Sequence, residues 1–417
     1  MPIVKDSIYL FSARFINSLA IFSLILLISR RLGPDIFGGY SFLNAVVMTG
    51  IVFANFGLDA HMVREVSRDQ SLGHTYLASV LGFKTISSLI VMVGIYGLFR
   101  IFLIDQTLVR LLAVFSIVIF LNSISQSLWF YGDAFQKFSF HAGLWAISNI
   151  IKVPVVWLFI SLGKSLKMVT YALVISEFIS LIVSAVCIYI FFGRFLNSFS
   201  IKFISKLLKE VWPLAIIFIL SALYFRIDLI MLEIMKGDKA AGIYSAAYKL
   251  IEFLSIIPGT ICVAALPGLS AEYCNNIETF KSNSVRSLLF LGISGTGAGL
   301  FFYLFAKQII LLLYGPLYFE SIICLSILSG VILFIFINGY FAYIAIAMNN
   351  EKKMALILFI STILNVLFNY YLIPKYSYIG ASLSTLFSEI LMSLFCVLMF
   401  RKSKLLGWHS IIRSFAK

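Results

Sequence analysis

Charged side chains are scarce in this chain. Asp, Glu, Lys and Arg make up 12% of its 417 residues, against a hydrophobic fraction of 61%. Soluble domains carry about a quarter charged residues, so that class is excluded and an all-α polytopic membrane protein is indicated. The mean hydropathy of +1.02 agrees. Acidic residues are the scarcer sign, 18 against 32 basic. No basic stretch with interleaved aromatics lies outside the apolar segments, which excludes a nucleic-acid partner. The five cysteines are scattered, four of them within apolar runs, and the four histidines are dispersed. Neither a disulfide framework nor a metal site is indicated. The longest connection, 194–210, is too short for a folded extramembrane domain. Residues 8–28 form a full-length apolar run interrupted by Arg14, with no small-residue cleavage site, so no cleavable signal peptide is expected.

What is present is a series of twelve apolar stretches long enough to span: about 8–31, 37–58, 77–99, 108–131, 141–162, 168–193, 211–235, 241–270, 285–313, 319–348, 354–373 and 378–400. On the N-terminal side their connections and ends carry 17 Lys and Arg, and on the opposite side nine. That bias places both termini in the cytoplasm. The stretch FSIKFISKLLKEVW puts Phe199, Phe203, Leu207 and Val211 on one helical face and Lys202, Lys206 and Lys209 on the other. It reads as an interfacial amphipathic helix joining two halves. The C-terminal residues, with Leu405, Trp408, Ile412 and Phe415 against Lys404, Arg413 and Lys417, have the same pattern. The expected division is therefore an N-terminal six-helix lobe at 1–193, a cytoplasmic amphipathic linker at 194–210, a C-terminal six-helix lobe at 211–400 and a basic amphipathic tail at 401–417. The halves look related: GPDIFGGYS (33–41) aligns with GDKAAGIYS (237–245) at an offset of 204, and Ser176-Glu177 recurs as Ser388-Glu389. Twelve helices in two pseudo-symmetric lobes around a central cavity follow as the expected fold.

Six cations fall within spans: Arg14, Lys84, Lys152, Arg226, Lys249 and Lys307. Ionisable groups at such depth face a protein interior or a wet cavity. The hairpin from Trp212 to Ser270 is the richest, with Arg226, Asp228, Glu233, Lys249 and Glu252. Measured about its turn, Arg226 matches Glu252 in depth and Asp228 matches Lys249. Arg226 and Asp228 are two apart and point to opposite sides, whereas Lys249 and Glu252 share a face, so both pairs cannot form in one plane. These four are candidates for ligand binding or gating, the alternative being static ion pairs. Lys152 and Glu177 form a third depth-matched pair, read as structural. Glu389 sits mid-span, and no Lys or Arg of its hairpin partner 354–373 could reach it. The nearest polar groups there are Asn365, Asn369 and Tyr370. As a carboxyl in an apolar site it either exchanges a proton during transport or stays protonated and hydrogen-bonds a neighbour. GISGTGAG (292–299) imitates a dinucleotide loop but lies inside a span without a preceding strand, so Gly295 and Gly299 read as helix-packing positions. Gly163-Lys164-Ser165 lacks the first glycine of a phosphate loop. No catalytic constellation or cofactor motif is present, which argues against an enzyme.

Several stretches together resemble the Wzx-type O-antigen and repeat-unit flippases, the oligosaccharidyl-lipid branch of the multidrug/oligosaccharidyl-lipid/polysaccharide superfamily. They are SRRLGPDIFGGYSF (29–42), FGLDAHMVREVSRD (56–69), YFRIDLIML with AGIYSAAYKL, ALPGLS (265–270), LYGPLY (313–318) and IPKYSYIGASLSTLFSE (373–389). The resemblance implies transfer of undecaprenyl diphosphate-linked oligosaccharides to the outer leaflet of a bacterial inner membrane by alternating access, alongside membrane lipids and a polysaccharide polymerase with its chain-length machinery. In that family cations of the first and eighth helices help bind the diphosphate, and Arg14 and Lys249 are the positions that could carry this over. Arg14, Lys84, Arg226 and Lys249 are accordingly the expected substrate-binding cations, with Asp228, Glu252 and Glu389 for ion coupling or gating. The lipid II flippase branch usually carries fourteen spans, two more than here. A multidrug or cation antiporter of the same superfamily is the alternative, though its usual acid in the first helix is absent. A membrane polymerase or glycosyltransferase is a third reading, disfavoured by the short external loops.

Overall fold

A computed structural model describes residues 2–102, 105–193 and 201–402, with side chains from residue 16 onward except at 201, 202, 206, 213, 214, 264, 401 and 402. The side chain of Arg14, the start of the 194–210 linker and the 403–417 tail therefore lie outside the described residues. Among the described residues all regular structure is helical. Nine helical stretches are long and apolar enough to cross a membrane, or ten if one bent pair counts as a span, so the chain is a multi-pass membrane protein. A helix closes its own backbone hydrogen bonds, which a segment without water partners requires. Ends fall where the sequence supplies a cap: Asp105 accepts from the Thr107 amide at 2.7 Å, and Asn276 accepts from those of Glu278 and Thr279.

The chain divides into two compact units, Met1–Arg226 and Ile227–Lys417. The first holds α1 (Pro2–Asn55), α2 (Leu58–Arg68), α3 (Gly73–Phe102), α4 (Gln106–Phe115), α5 (Ile117–Ala134), α6 (Phe138–Leu162), α7 (Leu166–Phe192) and α8 (Ile201–Tyr224). Straight, the 54 residues of α1 would reach roughly 80 Å, far more than a bilayer core. It is two helices meeting at Gly33, whose φ of 79° favours glycine, with Pro34 opening the second helix. α6 packs along α1 and α7, and α5 packs among α2, α3 and α7. α8 bends by 56° between Phe203–Trp212 and Ala215–Tyr224, a break that includes Pro213. Its amphipathic start packs in part against the first unit. Leu207 and Val211 are buried in a cluster with Leu58, Met62 and Leu77, and Phe203 meets the Tyr76 ring edge-on at 4.7 Å. The described part of the linker's apolar face, Phe203 and Leu207, is thus packed on protein of the first unit.

The second unit holds α9 (Ile227–Lys236), α10 (Asp238–Leu254), α11 (Ile256–Asn275), α12 (Ile277–Leu304), α13 (Ala306–Leu313), α14 (Ser321–Ala347) and α15 (Glu351–Lys402). α14 is central and packs against α10, α11, α12 and α15. Gly237 between α9 and α10 has φ 80° and ψ −179°, the conformation of Gly33 (φ 79°, ψ 177°). The 204-residue sequence repeat is therefore also a repeat of backbone geometry. α15 is two helices meeting at Ser377 (φ 51°), three residues beyond Pro374. A Cβ on Gly299 of α12 would lie 2.8 Å from the Ser329 carbonyl of α14, and one on Gly295 3.1 Å from Leu333 Cα. These glycines let the two backbones approach, as a small-residue packing stripe requires.

Candidate functional site

In the first unit α1, α2, α5 and α8 surround a cleft of about 340 Å³. Phe130, Phe218 and Phe225 form much of its apolar wall, and Asn55, Asp59, Gln126, Ser221 and Arg226 supply its polar groups. Asn55 ends α1, where Gly57 (φ 73°) turns the chain into α2 and brings Asp59 beside it. Asp59 does not face the cleft as a lone carboxylate. Lys84 of α3, with no exposed surface, donates to its two oxygens at 2.8 and 2.6 Å and to the Ser123 carbonyl at 3.1 Å, and Ser127 donates to Asp59 at 2.8 Å. The ammonium thus has three acceptors, the condition under which a buried charge is tolerated. Lys84 is consequently part of the cleft floor through Asp59, not a free cation at a membrane boundary. Arg226 is different: it lines the cleft half-buried, with no carboxylate in ion-pair reach among the described residues.

From the cleft a chain of half-buried and buried polar groups runs into the unit. Asn55 donates to Gln126 at 2.8 Å, Gln126 to Asn122 at 2.8 Å, and Asn122 to Glu177 at 3.3 Å. Glu177 meets Lys152 at 2.7 Å, Lys152 donates to Asn149 at 3.1 Å, and Asn149 to Asn17 at 2.8 Å. Seven side chains from α1, α5, α6 and α7 are linked without a gap. Such a network is tolerated in low dielectric because neighbouring members supply one another with partners and their dipoles polarise one another. Asn55 Oδ1, at the cleft end, has no partner among the described residues. The amides Asn17, Asn55, Asn122, Gln126 and Asn149 were missed by a search for charges. Their signal was an amide inside an apolar span, which must find a partner there.

In the second unit the acids and bases pair otherwise than their depths suggest. Lys249 joins Glu252, one turn along its own helix α10. Asp228 is 3% exposed and held by neutral donors: Thr385 at 2.6 Å, Tyr244 at 3.2 Å, and Asn369. Asn369 also donates to Asn365 at 3.0 Å. Asn365 and Asn369 therefore serve Asp228 and not Glu389, and Tyr370 is largely exposed. Glu389 instead accepts from Asn338 of α14 at 2.6 Å, and Asn338 accepts from Ser393 at 2.6 Å. The Asn122–Glu177 bond of the first unit has its counterpart in Asn338–Glu389 of the second, and in the first unit Lys152 also joins Glu177. Among the described residues no group of three or more His, Cys, Asp or Glu could hold a metal ion.

The profile of the family described as polysaccharide biosynthesis protein matches residues 3–273, and that of MatE matches residues 213–371. The chain is 27% identical to the capsular polysaccharide biosynthesis protein CapF of Staphylococcus aureus, over 93% of this chain and 96% of that protein. It is 25% identical to a putative O-antigen transporter of Shigella flexneri, over 92% and 94% of the two chains. In three dimensions it is similar to the lipid II flippase MurJ in an inward closed conformation, with a TM-score of 0.77, 18% identity and coverage of 99% and 92%. That likeness establishes a shared fold.

Proposed function

Since the chain belongs to the polysaccharide biosynthesis protein family, we propose that it is a transporter, a flippase moving undecaprenyl diphosphate-linked oligosaccharide units across a bacterial inner membrane. The observation that carries this reading is the cleft bearing Arg226, a half-buried cation with no carboxylate in ion-pair reach among the described residues. A diphosphate needs cations that are not already neutralised. Lys84 and Lys152 are enclosed against their carboxylates, so Arg226 and Arg14, with Lys249 once it leaves its half-exposed partner Glu252, form the proposed substrate-binding set. Asp228 and Glu389, buried carboxylates held by neutral amides and hydroxyls, are proposed to couple transport to an ion, with Glu252 gating through Lys249. The relatives named for capsule and O-antigen work support the substrate class.

The proposal includes twelve spans, six in each of the lobes expected at 1–193 and 211–400, around a central cavity. Counting α1 and α15 as two helices each, and α4–α5, α8–α9, α10–α11 and α12–α13 as single broken spans, supports twelve. Both termini are proposed to be cytoplasmic, and the polymerase and chain-length proteins to be partners. The MatE match over residues 213–371 favours a second reading, drug or cation antiport. Deletion in the source cell separates the two. Lipid-linked sugar accumulating on the inner leaflet with loss of surface polysaccharide supports the flippase. Unchanged surface polysaccharide with increased drug sensitivity overturns it.

A further inference from the structure

A second depression, of about 490 Å³, lies in the first unit between the first half of α1 and α6, away from the cleft. Its lining includes Ser23, Leu27, Arg30, Arg31, Pro154 and Trp157, and no acidic residue. Ser23, Leu27 and Arg30 recur at helical spacing along one face of α1. Opposite them Pro154 and Trp157 stand one turn apart on α6. Both helices are candidate membrane spans, so the depression opens toward lipid, and Trp157 is more than half exposed beside it. The arginines occupy the last turn before the Gly33 break, at the end of the span remote from the N-terminus, where headgroups lie. Arg31 has no ion-pair partner among the described residues.

We propose that this groove binds an anionic bilayer phospholipid, its phosphodiester held by Arg30 and Arg31 and one acyl chain lying against Leu27 and Trp157. A guanidinium presents a planar fork that matches two phosphate oxygens and is weakly hydrated, so two arginines side by side select phosphate over zwitterionic headgroups. Basic depressions between spans hold lipid phosphates in this way. The site is independent of the transport reading, since neither arginine lines the cleft.

The test uses the full chain purified in nanodiscs of phosphatidylcholine containing phosphatidylglycerol, with bound lipid read by native mass spectrometry after delipidation. The expected result is a preference for phosphatidylglycerol of about tenfold or more, from two cations each adding roughly 1 kcal/mol near the surface. Arg30→Gln/Arg31→Gln should reduce that preference to near unity. Ser23→Phe, which keeps both arginines but fills the groove, should reduce retention of the lipid as well. Monodisperse elution of each variant checks folding, and competition on the wild-type protein supplies a readout that needs no variant. Equal retention of both lipids by the wild type overturns the proposal. So does displacement of phosphatidylglycerol by inorganic phosphate alone, or by undecaprenyl diphosphate at lower concentration, since the groove would then serve a free anion or the transported lipid.

Discussion

Lys84 and Arg226 are both cations within apolar surroundings, yet their neighbours give them opposite roles. Lys84 is completely enclosed and its charge is cancelled by Asp59, so its removal is a stability event. Lys84→Met leaves Asp59 buried without a counterion and should cost about 3–5 kcal/mol. Lys84→Met/Asp59→Asn should recover much of that loss, measured as the thermal midpoint of the purified protein in detergent. Arg226 has no such partner among the described residues, so Arg226→Gln should leave the midpoint within about 1 kcal/mol of the wild type while surface polysaccharide falls. A second residue-scale comparison concerns the two buried acids. Asp228→Asn and Glu389→Gln keep the shape of each site but cannot carry a charge. If coupling runs through Asp228, Asp228→Asn should bind lipid-linked sugar and fail to move it under an ion gradient. Full transport by Glu389→Gln alongside would leave Glu389 the structural partner of Asn338.

Helix-scale features were more legible. Apolar length marked twelve runs, whereas nine or ten described stretches qualify as spans, because α1 and α15 each carry two runs in one helix. The aligned residues 33–41 and 237–245 hold two breaks of the same backbone conformation, at Gly33 and Gly237. Lys152 and Glu177 face each other at 2.7 Å because consecutive antiparallel helices bring equal depths together. The same reasoning suggested Asp228 with Lys249, but one helical turn brings Glu252 to Lys249 first. The partners of Asp228 include Asn369 and Thr385 from the distant α15, a contact that depth within a hairpin does not contain. Glycine in α12 gives the prediction that belongs here. Gly299→Ala drives a Cβ into the Ser329 carbonyl and should cost about 1–3 kcal/mol. Gly297→Ala, with nothing within 4 Å, should be neutral or slightly stabilising in the same thermal measurement.

At the scale of the whole molecule the proposed cation set is tested together. Arg14→Gln and Lys249→Gln should each abolish surface glycan while the protein remains in the membrane, read by immunoblot of the membrane fraction. Normal glycan in both variants would overturn the electrostatic account of diphosphate binding. Composition by itself determined that this chain is a multi-pass helical membrane protein, because lipid offers the backbone no partner and leaves apolar runs one regular structure. The placing of Gly33, Pro34 and Gly237 also marks two of the breaks, since Gly and Pro act on the backbone locally, whereas the break at Ser377 has no glycine. Only the tertiary structure decided which charges are cancelled and which are not. Lys84 lost its freedom to Asp59, 25 residues away, and Asp228 found Thr385, 157 residues away. A buried charge takes whatever partner packing delivers, and packing is a property of the whole unit that no local spacing encodes.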